Sequence, residues 1–270
     1  MITKYPATAD NPGRILVKEG ELKTTGNYMA GRLRANSLMM ADNVEVYGGY
    51  PATLTGIATI GRDPIAHPTH ISGNIANDDY DNNVHHLVRF QDVSNAVLDG
   101  FRLYYGNAYS ENITAAGSKH GGGVIVYSQM EADMTGNALR NCIIANCTGL
   151  EGAAVYVTGL GTGEADDVVS LSMENCIIHN NEGKDPSAPS AICAKGSQTT
   201  ITLNHCTIRG NVGFAACAWD EATITLNNSV VHANAKVKVD DISTLTSSNV
   251  LTVYAEHGCT INSSNNLVDN

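Results

Sequence analysis

Three short acidic runs are the first places in this chain where chemistry could be done: "NDDYDNN" (77–83), "GEADDVV" (163–169) and "VDDIS" (239–243). Clustered carboxylates offer the hard oxygen ligands that Ca2+ collects, about six to eight of them. Asp78, Asp79, Asp81, Asp166 and Asp167 are therefore the candidate metal ligands, and Ca2+ is the only cofactor the residues suggest. The run at 77–83 lacks the spacing of an EF-hand loop. All three runs have the composition of turns, and the plainer reading is solvated loop acids.

A second group is aromatic. Only 6% of the chain is Phe, Trp or Tyr, yet Tyr104, Tyr105 and Tyr109 stand together. A tyrosine ring can stack on the apolar face of a sugar while its hydroxyl stays wet, so the three are candidate ligand-binding residues. Covering the end of a core beneath the 105–120 loop is an equal alternative. His120, in "KHGGG" (119–123), is a fourth candidate, although no carboxylate partner is evident for it and a corner position is the simpler expectation. Arg102 and Arg209 are expected on one side of the molecule, as solubilising charge or as ligand contacts.

Composition narrows the partners. Lys and Arg total 16 against 27 Asp and Glu, a net charge of −11 at pH 7, which repels nucleic acid and anionic membranes. A neutral or cationic partner, such as a polysaccharide or a cell-surface glycan, suits that charge. No apolar run approaches the roughly 20 residues that span a bilayer. Neither a basic n-region nor an apolar h-region opens the chain at "MITKYPATAD". Either the protein is cytosolic or an export signal was removed ahead of Met1; removal is the expectation, with the protein secreted or held at the cell surface.

The elements that must position these residues emerge from a repeat. "NCIIANC" (141–147) returns as "NCIIHNN" (175–181) and "NHCTIRGN" (204–211), and the pattern extends to 99–107, 227–234 and 257–265. One register position holds Phe101, Cys142, Cys176, Cys206, Ser229 and Cys259, and two residues on come Leu103, Ile144, Ile178, Ile208, Val231 and Ile261. Period two is the period of a strand, so each pair faces the core while Arg102, Ile143, Ile177, Thr207, Val230 and Thr260 face out. The residue before the register position is Gly100, Asn141, Asn175, His205, Asn228 or Gly258. Gly, Asn and His are the types that tolerate positive φ, so each copy is expected to bend through one left-handed residue.

A preceding strand ends on Leu98, Leu139, Met173, Leu203 or Leu226. An asparagine follows each copy (Asn107, Asn146, Asn180 or Asn181, Asn211, Asn234, Asn265), and stacked asparagines can form an amide ladder. A third strand opens on small residues in "GGGVIVY" (121–127), "GAAVYV" (152–157), "SAICAK" (190–195) and "FAACAW" (214–219), with Trp219 aligned to Val126, Val157 and Ala194. Copies are spaced 41, 34, 30, 23 and 30 residues apart, the spacing of a solenoid whose units bury themselves only by stacking. The fold expected is all-β, a single-stranded right-handed parallel β-helix. Its seven cysteines act mainly as small core residues rather than as disulfides or zinc ligands.

Those repeat units, together with "VEVYGGYPATLTG" (44–56), "GRDPIAHPTHISGNI" (61–75) and "HHLVRFQDVSNAVLDGF" (85–101), resemble the pectate lyase-like right-handed β-helix proteins that bacteria export to their surface. The resemblance runs from about residue 15 onward. It implies one β-helix domain over residues 1–270, a fragment of a longer exported protein. Enzymes of this kind cleave acidic polysaccharides: lyases with carboxylate-held calcium and an Arg or Lys base, glycosidases with an Asp pair followed by Gly-His-Gly and Arg-x-Lys. Asp166-Asp167 and Asp240-Asp241 are followed by neither motif, which weighs against hydrolysis by that route. Three readings stay open: a glycan-binding module without catalysis, a polysaccharide lyase or glycosidase, and a stalk or adhesin segment.

Overall fold

The structure, a computed structural model, describes residues 7–23, 36–55, 61–75, 83–109, 119–129, 132–159, 167–186, 189–232, 234, 238–239, 244–248 and 261–264. Within them the chain coils through three large sheets of nine, seven and seven strands, and every strand pair is parallel. One coil runs through the first sheet at Met134–Arg140, the second at Ile143–Ala145 and the third at Val155–Thr158, and the next coil lies directly above. No helix occurs among the described residues.

Stacking in register builds the core in columns. In the first sheet Leu98, Leu139, Met173, Leu203 and Leu226 pair in succession. In the second the column is Ile71, Leu103, Ile144, Ile178, Ile208 and Val231, and in the third Val88, Val124, Val155, Ile192 and Ala216. All but Val231 are essentially inaccessible to solvent, and together they belong to one apolar cluster. Each unit contributes a thin slab that its neighbours must cover, as a solenoid requires.

The sharp bend between the first and second sheets is set by one residue per coil. Gly100, Asn141, Asn175, His205 and Asn228 have φ of 80°, 50°, 53°, 54° and 48°, the left-handed values their residue types announce. Beside the bend, Cys142, Cys176 and Cys206 stack as free thiols, each donating a long hydrogen bond to a carbonyl one coil back: Leu98 at 3.6 Å, Leu139 at 3.5 Å and Met173 at 3.6 Å. Cys259 lies outside the described residues.

Three details differ from the sequence reading. The amide ladder runs through Asn181, Asn211 and Asn234 and meets Cys147 at its other end, because Asn146 is itself the bend residue (φ 55°), level with Tyr105, Asn180 and Gly210. Trp219 pairs with Lys195 and therefore faces outward, while Ala218 takes the column of Ala194, Val157 and Val126. The last copy is not a second-sheet strand: Ile261–Ser264 pairs with Thr244–Ser248 in the first sheet. "TINSS" (260–264) matches "TLTSS" (244–248) residue for residue in pattern, a stronger signal than the apolar pair used to align Ile261 with Val231.

Candidate functional site

The outer face of the second sheet gathers the residues best suited to bind a ligand. Its strands alternate, so Arg102 and Tyr104 point out while Phe101 and Leu103 are buried. By register one outward row is Glu21, His70, Arg102, Ile143, Ile177, Thr207 and Val230, and the next is Lys23, Ser72, Tyr104, Ala145, His179, Arg209 and His232. Arg102 and Arg209 do lie on one side of the coil, in adjacent rows.

A groove of about 520 Å³ crosses this face, lined by Glu19, Gly20, Glu21, Pro68, His70, Ser72, Tyr104 and Tyr105. The Tyr104 ring sits 6.0 Å from Tyr105 and 5.7 Å from His70, centroid to centroid. Burial pushes the Tyr104 hydroxyl pKa up and the His70 pKa down, Arg102 adding to the fall, so both are neutral at pH 7. Tyr105 is 40% exposed with φ of 66°. Non-glycine residues with bulky side chains rarely hold such a φ, which costs about 1–2 kcal/mol.

The segment 61–68 reaches the groove at Pro68 and is fixed by Arg62. Its Nε donates to the Gly48 carbonyl at 2.9 Å, it ion-pairs with Asp99, and its guanidinium lies 5.2 Å from the Tyr47 ring centre. Asp63 caps the turn by accepting from the Ile65 and Ala66 amides at 2.9 and 3.0 Å. On the far side Glu19 accepts from the Ala52 amide at 2.8 Å and meets His67 Nδ1 at 3.1 Å, contacts that hold its carboxyl below the usual range. Ile65 stands 85% exposed above Arg102, and Ile177 and Val230 continue the apolar strip along the same row.

The other expected residues are scattered. Tyr109 is described but does not line the groove. His120 lies at the entrance to the third sheet, and the carboxylate beside it, not evident from the sequence, is Glu151, whose Oε2 is 3.6 Å from His120 Nδ1. The alignment of "GGGVIVY" with "GAAVYV" already set Gly121 beside Gly152, and the residue before each is His120 and Glu151. Asp78, Asp79, Asp81 and Asp166, like Asp240 and Asp241, lie outside the described residues. Asp167 is 5% exposed and its Oδ2 has no hydrogen-bond partner. Among the described residues no three His, Cys, Asp or Glu side chains are grouped to hold a metal ion. Sequence reasoning missed His70 and Glu21; the signal was "THIS" (69–72), which stacks on "FRLY" (101–104) with Thr69 in place of the register Phe.

A buried histidine and a half-buried one give this region a pH dependence. His86 is 1% exposed with Nδ1 2.9 Å from the Gly121 carbonyl, and burial takes its pKa from 6.5 to about 3; His120 falls to about 4 for the same reason, with Lys195 adding to the effect. Below pH 6.5 the unfolded chain takes up protons that the folded chain refuses, so stability falls with pH. The slope is about 1.4 kcal/mol per pH unit for each histidine between pH 6.5 and 4. Burial holds the Glu151 carboxyl above its usual range, which acts in the opposite sense. Urea midpoints across this window should fall, and His86→Gln should flatten the decline.

A coil of parallel strands with a solvent-facing groove across one sheet defines a solenoid that presents an extended face. Residues 122–270 match the family model of the right handed beta helix region, and the chain belongs to that family. No curated protein and no solved structure matches it. No helix among the described residues is long and apolar enough to cross a membrane.

Proposed function

We propose that this β-helix is an extracellular or cell-surface module that binds a glycan along the outer face of its second sheet, without catalysis. The observation that carries the reading is Tyr105. At the same corner the neighbouring coils place Asn146, Asn180 and Gly210, residues at ease with positive φ, whereas here a tyrosine takes up the strained conformation beside Tyr104 and His70. Strain of that kind persists where it serves a site. Two rings about one sugar unit apart, open to solvent beside Glu21 and Ser72, offer stacking surfaces and hydrogen-bond acceptors together. With Glu19 and Glu21 in the lining and a net charge of −11, a neutral or cationic sugar fits better than a polyuronate.

Glycan-array binding followed by calorimetry on the best ligand tests the reading. Tyr104→Ala should weaken binding at least tenfold, about 1.4 kcal/mol, with the melting temperature little changed. Silence across the array, or equal binding by the variant, would sink the proposal and leave the stalk role as the better account. Unsaturated products released from a polysaccharide would instead make the protein a lyase.

A further inference from the structure

We propose that the corner formed by Glu151 and His120 is a second ligand site, on a different face from the tyrosine groove, and that it takes a protonated primary amine. The corner is built by stacked coils: Leu150 N donates to the Lys119 carbonyl at 2.7 Å, Gly121 and Gly152 follow with φ of 69° and 56°, and the side chains of His120 and Glu151 meet over the outer face of the third sheet. That face is apolar. Ile125, Tyr156, Cys193 and Cys217 form a buried cluster of their own, flanked by Tyr127, Phe214 and Trp219. The His120 ring stacks on Tyr156 at 4.5 Å with 22° between the planes.

One buried polar atom is left unanswered on this platform, beside a carboxylate. His120 Nδ1 is buried and has no hydrogen-bond partner, and the Glu151 carboxylate, on a side chain 11% exposed, lies against it. Their separation of 3.6 Å is too long for a hydrogen bond. Buried polar groups in folded proteins are nearly always satisfied, and an orphaned ring nitrogen beside a carboxylate calls for something that meets both. The low pKa of His120 leaves its ring uncharged at pH 7, so an ion pair does not explain the contact and a ring nitrogen is free to accept.

The missing group is therefore a donor, and its charge follows from the surroundings. Glu151, Asp185 and Asp220 put three carboxylates around the corner against Lys119 and Lys195. Lys195 is 3.8 Å from Asp220 and makes no ion pair with Glu151. An ammonium group has three donors, enough for a Glu151 oxygen and His120 together, and it neutralises a carboxylate that burial otherwise penalises. The flanking aromatic rings suit the carbon frame that bears the amine. An amino sugar and a lysine side chain both supply this chemistry.

The test is calorimetry at pH 7 with a fully deacetylated glucosamine trimer and with acetyl-lysine-amide, each beside its N-acetylated counterpart, while the His120 ring proton is followed by NMR. At least one free amine should bind and shift His120 with the same saturation, and its acetylated form should not. Glu151→Gln should weaken binding at least tenfold and Tyr104→Ala should leave it unchanged. Preference for the trimer assigns the site to a glycan, preference for the lysine compound to a protein. Should Glu151→Gln fail to fold, the His120 shift in the unaltered protein decides. Equal binding by Glu151→Gln, loss through Tyr104→Ala instead, or no His120 shift with either amine would overturn the proposal without touching the groove.

Discussion

Asn181→Ala is expected to lower stability by about 4 kcal/mol, more than any other single side-chain truncation considered for this chain. The side chain is fully buried and satisfies four groups at once. Its Oδ1 accepts from the Cys147 amide at 3.0 Å, and its Nδ2 meets the Ile144 and His179 carbonyls and Asn211 Oδ1, each at 3.0 Å. Alanine removes all four contacts: the Cys147 amide and the Ile144 and His179 carbonyls lose this partner between coils, while Asn211 Oδ1 keeps the Asn181 amide. For a chain of this size the melting temperature should drop by about 8–16 °C. Asn234→Ala, at the half-buried end of the described ladder, should cost about 1 kcal/mol in the same assay. Equal losses from the two would mean that the ladder does not stabilise through burial, and the account of the corner would fail.

That ladder also shows what a single sequence can reveal of a solenoid. The first bend was legible because it needs one positive-φ residue, and Gly100, Asn141, Asn175, His205 and Asn228 belong to the few types that supply it. At the second bend the same logic slipped by one, because asparagine serves two purposes there: Asn180 bends the chain and Asn181 builds the ladder, while the coil below uses Asn146 and Cys147 for those positions. Phase was lost in the third sheet for a related reason. Alternation betrays a strand only when one face is wet, and in Phe214–Trp219 the residues Ala215, Ala216, Cys217 and Ala218 are all buried, three in the central core and Cys217 in the outer cluster. Trp219 consequently went to the wrong face.

The sites were harder to read than the coil because they are made between coils. Tyr104 and Tyr105 are neighbours in sequence and could be picked out as a pair. His70 joins them only because its strand stacks on theirs, and Glu151 reaches His120 only because two corners superpose. Composition and spacing fix what lies along one strand. Contacts across strands depend on register, and a shift of one residue exchanges the inward and outward sets.

The same register argument leads to the largest functional effect expected. Replacing both rings of the groove, in Tyr104→Ala/Tyr105→Asn, should reduce glycan affinity at least a hundredfold, each ring contributing about 1.4 kcal/mol or more by stacking. Stability should move the other way. Asparagine is what the neighbouring coils place at this corner, with φ of 55° in both Asn146 and Asn180 against 66° for Tyr105, so Tyr105→Asn relieves about 1 kcal/mol of backbone strain. Loss of the Tyr104 ring gives back part of that gain, because the side chain is only half-buried. The double variant should therefore melt no lower than the parent while binding fails, a combination that general unfolding cannot produce. A single Tyr105→Asn variant separates the two effects, with a melting temperature about 2–4 °C higher and affinity about tenfold lower. If Tyr105→Asn destabilised the protein, the tyrosine would be held by packing rather than tolerated for a ligand, and the groove would lose its strongest support.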